Sequence, residues 1–120
     1  MPRDMDLIRE LMLRFERNDA SLPSGKTMEE VAYHVSQMKR SGLVDAEIIE
    51  APSPGKMKPV QFIIHDLTPA GHDFIAQIRD DRLWLKVKAA AKKKVVPLTM
   101  ELVVEIAKMV AKRTLFGGIH

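Results

Sequence analysis

The chain of 120 residues has no cysteine. That removes disulfides, Cys-ligated metal sites and thiol chemistry together, and agrees with a reducing compartment. No apolar run approaches the roughly 20 residues that span a bilayer. The start, MPRDMDLIRE, alternates charge where a secretory leader carries an apolar stretch. A cytoplasmic protein with no membrane partner is the expectation. There is no internal repeat, no glycine-rich cofactor loop set between a strand and a helix, and no nucleophile with a base beside it, so no enzyme and no cofactor are expected. One tryptophan is too few for a base-stacking platform, which uses several aromatics. Trp84 reads instead as a domain or dimer contact.

What is present suits one globular domain: 46% hydrophobic and 29% charged residues, with 6 Gly and 7 Pro. The net charge of +3 is unevenly spread. Residues 1–81 hold 10 Lys+Arg against 14 Asp+Glu, a net of −4, and residues 82–120 hold 9 against 2, a net of +7. The basic character belongs to the C-terminal third, and a nucleic-acid-binding function has to accommodate that asymmetry.

Hydrophobic spacing places the elements. Leu7, Ile8, Leu11, Met12 and Phe15 recur at helical spacing between Asp4 and Asn18, and NDASLPSGK, residues 18–26, ends that helix. Thr27, with Glu30 three residues on, forms a capping box for a second helix. Its stripe is Met28, Val31, Val35 and Met38, and SGL at Ser41–Leu43 stops it. DAEIIEA and PVQFIIH have β-rich cores joined by PSPGKMKP, which reads as a hairpin tip longer than a tight turn. A third helix opens at Thr68, with Pro69 in its first turn, and runs through Phe74, Ile75, Ile78, Leu85 and Val87 to about Lys93. The polar Arg79–Asp81 step is a place for a bend. A fourth helix, Thr99 to Arg113, carries Leu102, Val103, Ile106, Met109 and Val110 on one face. The fold class is α+β, a winged-helix-like domain over residues 1–94 in the order helix, helix, two-stranded wing, helix. Residues 95–120 form a C-terminal helical extension for packing or dimerisation. A full helix-turn-helix needs one more helix, and only about eight residues are available between Asn18 and Thr27.

The stretches RDMDLIRELML, VAYHVSQMKRSGLV and LTPAGHDFIAQIRDDRLWLKVK resemble a family of short bacterial and phage proteins catalogued as domain of unknown function 2513. The run HDF…IRDD…W…KVK is the most specific part. The resemblance implies a winged-helix-like cytoplasmic protein, with regulation of transcription as an analogy drawn from the fold.

Three groups of residues bear on chemistry, beside a basic stretch near the C-terminus. ASLPSGKT, Ala20–Thr27, fits the loosest phosphate-binding loop, but a helix precedes it where a buried strand is needed. Thr27 as a helix cap explains the same residues. HDLTPAGHD, residues 65–73, offers two His-Asp doublets; neighbouring residues diverge, so at best one member of each can converge on a metal, and no third ligand is evident. No metal site is expected there, and the aspartates suit the positive end of the helix that starts at Thr68. The remaining group is Tyr33, Gln37 and Arg40, at i, i+4 and i+7 on the outward face of the second helix, with Lys56 and Lys58 in the wing. Those residues can reach base edges and phosphates of double-stranded DNA. Glu29 and Glu30 at the leading end of the helix oppose it, and an ordinary solvated face accounts for the same residue types. KVKAAAKKK, Lys86–Lys94, is either a phosphate-binding stripe or a soluble helix end matched to its dipole. The leading expectation is a non-enzymatic DNA-binding regulator, probed at Arg40 and Lys56, that acts as a homodimer. The alternative is a protein-interaction adaptor on the same scaffold.

Overall fold

The computed structural model of the protein describes residues 3–93 and 98–117. Its elements run α1 (Met5–Glu16), α2 (Met28–Arg40), β1 (Val44–Ser53), β2 (Lys56–Leu67), α3 (Pro69–Ile78), α4 (Asp81–Lys93) and α5 (Met100–Gly117). This is the expected α+β order, helix, helix, antiparallel wing, helix, in a winged-helix-like arrangement. Among the described residues no helix lies between Asn18 and Thr27, so a loop stands where a full helix-turn-helix has its further helix. No described helix is long and apolar enough to cross a membrane. The contacts divide the chain into two compact units, Met1–His72 and Asp73–His120.

The first unit is built around α1 and α2, which pack on each other and on the hairpin. Leu7, Ile8, Leu11, Met12 and Phe15 of α1 are all buried, as their spacing predicts. On α2, Val31, Val35 and Met38 are buried with Ala32 and His34, whereas Met28 is exposed: it lies in the opening turn, short of the packed stripe. From the wing, Phe62 meets Phe15 with ring centroids 6.0 Å apart. Both helices end in the same way. Asn18 (φ +59°) follows α1, with Asn18 N–H donating to Phe15 O and Asp19 N–H to Arg14 O. Gly42 (φ +75°) follows α2, with Gly42 N–H donating to Lys39 O and Leu43 N–H to Met38 O. These are Schellman terminations, and at the end of α2 the buried Leu43 and Met38 supply the apolar pair that accompanies the motif. The Arg14 side chain holds the following loop, donating to Ser21 Oγ (2.9 Å) and pairing with Asp19 and Glu10 (both 3.6 Å). Ser21 also donates to the Asp19 carboxylate, which holds that carboxyl below the usual aspartate range.

The wing is longer and its turn tighter than PSPGKMKP suggests. Strand pairing continues to Ser53↔Lys56, so only Pro54 and Gly55 (φ +74°) form the tip. Pro followed by a positive-φ Gly is what a type II turn takes at its two central positions, so residues that read as loop belong to the strands. Two register shifts, at Asp45/Ala46 and Ile49/Glu50, leave Val60 and His65 as extra residues on β2. Such bulges bend a strand and re-aim its side chains.

At the base of the wing the chain is knotted together by one side chain. Thr68 N–H donates to Leu43 O (3.0 Å), its hydroxyl donates to Gly42 O (2.5 Å), and the same oxygen accepts from Gly71 N–H (3.0 Å). Thr68 thus caps α3, as its residue type predicts, and ties that cap to the end of α2. Thr68→Ala is expected to cost about 1–2 kcal/mol, at the upper end for a cap because the Gly42 carbonyl also loses its donor. Thr27, whose hydroxyl accepts only from Glu30 N–H (3.1 Å), is the internal reference. Urea unfolding of Thr68→Ala and Thr27→Ala, with Thr68→Ala the weaker, checks this.

In the second unit the bend at Arg79–Asp81 is a complete break. Asp80 accepts from the N–H groups of Arg82 (2.8 Å) and Leu83 (3.0 Å), so it starts a new helix. The bond from Leu83, followed by that from Arg82, holds its carboxyl below the ordinary aspartate range. The restart resets the helical phase. Trp84, Val87 and Ala91 point inward, while Leu85, assigned to the stripe of an unbroken helix, is 61% exposed. α4 packs on α5, whose Met100, Val103, Ile106 and Ala107 are buried. Met109 is exposed, and the Val110 side chain and residues 94–97 and 118–120 lie outside the description. Trp84 is buried, with Lys88 Nζ 5.8 Å from its ring centroid.

Candidate nucleic-acid interface

α2 carries its inward stripe on one side and Glu29, Tyr33, Gln37 and Arg40 on another. The spacing i, i+4, i+8, i+11 keeps these four on one face. The wing curls toward that face, and the space between them is a cleft of about 890 Å³. All five residues expected to touch nucleic acid, Tyr33, Gln37, Arg40, Lys56 and Lys58, line it. So do Lys39, Glu50, Ile48 and Met57. Four cations therefore face two carboxylates, a positive local balance inside the portion of chain whose sum is negative.

Each side chain is held differently. Tyr33 is half-buried, and its ring stands edge-on to His34, centroids 5.2 Å apart and planes at 86°. Gln37 accepts from the Arg3 guanidinium at 3.2 Å through Oε1, which leaves its amide N–H groups as the donors for anything in the cleft. Arg40 is exposed in the last turn of α2. Lys56 begins β2 at the tip, and Lys58, two residues on, pairs with Glu29 Oε2 at 3.4 Å across the cleft. Sequence reasoning found the helix stripe by its period and the lysines by their place in the wing. It did not find the Glu29–Lys58 pair, whose members are 29 positions apart.

Behind the cleft, His34 is 1% exposed and both its ring nitrogens are engaged by backbone. Asp4 N–H donates to Nε2 (3.0 Å), so the ring proton sits on Nδ1 and is donated to Glu30 O (2.7 Å). This joins the start of α1 to α2 and underlies the wall that carries Tyr33. A buried histidine on the inner side of an amphipathic helix has no spacing signal of its own.

The other candidates resolve locally. Lys26 pairs with Asp4 (3.7 Å) and Glu30 (3.5 Å), and Thr27 caps α2, so the phosphate-loop pattern is a helix start. The Glu30 carboxylate turns to Lys26, so the capping box is seen on its Thr27 side. His65, re-aimed by its bulge, meets Glu47 at 2.9 Å across the strands. Asp66 accepts from Leu67 N–H, and the first turn of α3 carries no acidic residue, so the dipole argument for the two aspartates does not describe this helix start. Among the described residues no three His, Asp or Glu side chains gather to hold a metal.

Comparison with known proteins adds kinship without activity. An uncharacterised protein of Haemophilus influenzae is 30% identical over 122 residues, covering 96% of this chain and 99% of that one. No solved structure matches the chain. Residues 2–97, which hold α1 to α4 and the whole cleft, match the model of the family described as hypothetical protein (DUF2513), and the chain belongs to that family.

Proposed function

We propose that the protein is a non-enzymatic, cytoplasmic DNA-binding regulator that presents α2 and the wing to a duplex. The observation that carries this reading is the convergence of Tyr33, Gln37, Arg40, Lys56 and Lys58 on one cleft with four cations against two carboxylates. Phosphate neutralisation supplies most of the affinity in such contacts, and the cleft offers it where the whole first unit does not. Lys39, Arg40, Lys56 and Lys58 track the phosphates, and the Gln37 amide donates to acceptors on base edges. A homodimer is the oligomer that fits such a regulator.

The test is fluorescence anisotropy of a labelled duplex against a salt series. Four phosphate contacts give a slope of log K on log salt of about −3 to −4, and Arg40→Ala with Lys56→Ala is expected to flatten it by about two. No binding at low ionic strength overturns the reading. One observation favours a second reading, the protein-interaction adaptor: Ile49 and Ile63 are 41% and 49% exposed on the face of the wing turned away from the helices. In that case the duplex does not bind, and a protein partner is lost on Ile49→Ser with Ile63→Ser.

A further inference from the structure

We infer that Glu29 sets the affinity of the cleft: it holds Lys58 in an ion pair, so that a polyanion gains that lysine only by displacing a carboxylate. The inference rests on the cleft being the nucleic-acid surface. Of the four cations that line it, Lys39, Arg40 and Lys56 have no ion pair among the described residues, and Lys58 has one, with Glu29. The two come from different elements, the first turn of α2 and the third residue of β2, so the pair bridges the cleft from wall to wall. Glu29 is stable where it is, because the positive end of α2 favours a carboxylate in the first turn.

The pair is also built to open. Both side chains are about half exposed, 54% and 43%, and a lysine–carboxylate contact of that kind is weakly bound in water. A phosphate backbone presents two charges per base pair and releases counterions when neutralised, so it can replace Glu29 on Lys58, while an isolated anion has less to offer in exchange. The consequence is a threshold: the protein ignores weak anions and low-charge surfaces and engages a dense, continuous polyanion.

A structural tie between wing and helix is the competing role, and it has the opposite sign. If Glu29 mainly braces the wing, Glu29→Gln loosens the cleft and weakens binding. If it withholds Lys58, Glu29→Gln tightens it. The experiment uses the full chain and a fluorescein-labelled mixed-sequence 20-base-pair duplex between 50 and 200 mM NaCl, with thermal melts to confirm that each variant is folded. Glu29→Gln is expected to bind roughly two- to five-fold more tightly with the salt slope little changed, because Lys58 meets a phosphate in both proteins. In a Lys58→Met background the same substitution is expected to change affinity little, because the lysine it would release is gone. Unchanged or weaker binding by Glu29→Gln overturns the inference. An equal gain with and without Lys58 also overturns it, since that is the removal of a charge anywhere in the cleft; Glu50→Gln measures that general effect. Failure of the wild type and of Glu29→Gln alike to bind the duplex is read separately, as failure of the nucleic-acid reading, and takes the inference with it.

Discussion

Gly71→Ala is expected to destabilise the protein by about 3 kcal/mol or more, lowering the melting temperature by roughly 10–20 °C. Helix propensity alone gives the opposite sign, since alanine is favoured over glycine inside a helix by about 1 kcal/mol. The difference is the neighbour. Gly71 lies in the first turn of α3 directly against the Leu43 carbonyl, and an alanine Cβ there falls inside contact distance of both the oxygen and its carbon. That carbonyl is not free to swing away, because it accepts from Thr68 N–H at 3.0 Å and follows the Schellman end of α2. Relief therefore requires the helix start to lift from the base of the wing, breaking the Thr68 contacts with Gly42 and Leu43. Differential scanning calorimetry reads the shift directly. An alanine variant as stable as the wild type would mean that the wing base is far softer than its bonding indicates.

His34→Ala is expected to cost about 3–4 kcal/mol. Two losses add: the cavity left by a fully buried ring, and a backbone N–H at Asp4 left without its acceptor. Because Asp4 is also the N-cap of α1, accepting from Leu7 N–H, the damage spreads to the first turn of that helix. Hydrogen exchange at Asp4 and Leu7 should rise in His34→Ala well beyond what the global loss of stability explains, and chemical denaturation gives the total. His34→Gln, which can still place an acceptor near Asp4, is the control that separates the bond from the volume.

Periodicity made much of this molecule legible in advance. α1 is legible because Leu7, Ile8, Leu11, Met12 and Phe15 need no partner to reveal their stripe, and the wing because Val60, Phe62 and Ile64 alternate. Where the reading departed from the structure, a bond between distant or unlike groups decided the matter. Pairing carried β1 and β2 through Pro52, Ser53 and Lys56 to a two-residue tip, although the local composition is that of a loop. Asp80 capped α4 with its side chain and shifted the phase of everything after it, which moved Leu85 from the inside to the surface. The cleft shows the same division. Tyr33, Gln37 and Arg40 follow from helical spacing, whereas the turn of Glu29 toward Lys58 and of Arg3 toward Gln37 are long-range meetings that no window along the chain contains.

The threefold bonding of Thr68 means that the two ends of the wing are closed by residues outside it. The last turn of α2 and the first turn of α3 are held adjacent at its base, and β1 and β2 pack on α1 and α2 nearest that base, so only the tip of the hairpin is an appendage. Its reach is therefore a free variable. Removing facing pairs from the tip, two from each strand, preserves which side of the ribbon each remaining side chain occupies and leaves the helices where they are. Within such a scaffold the length of the arm can change while its base, held by the Thr68 contacts with Gly42 and Leu43, cannot.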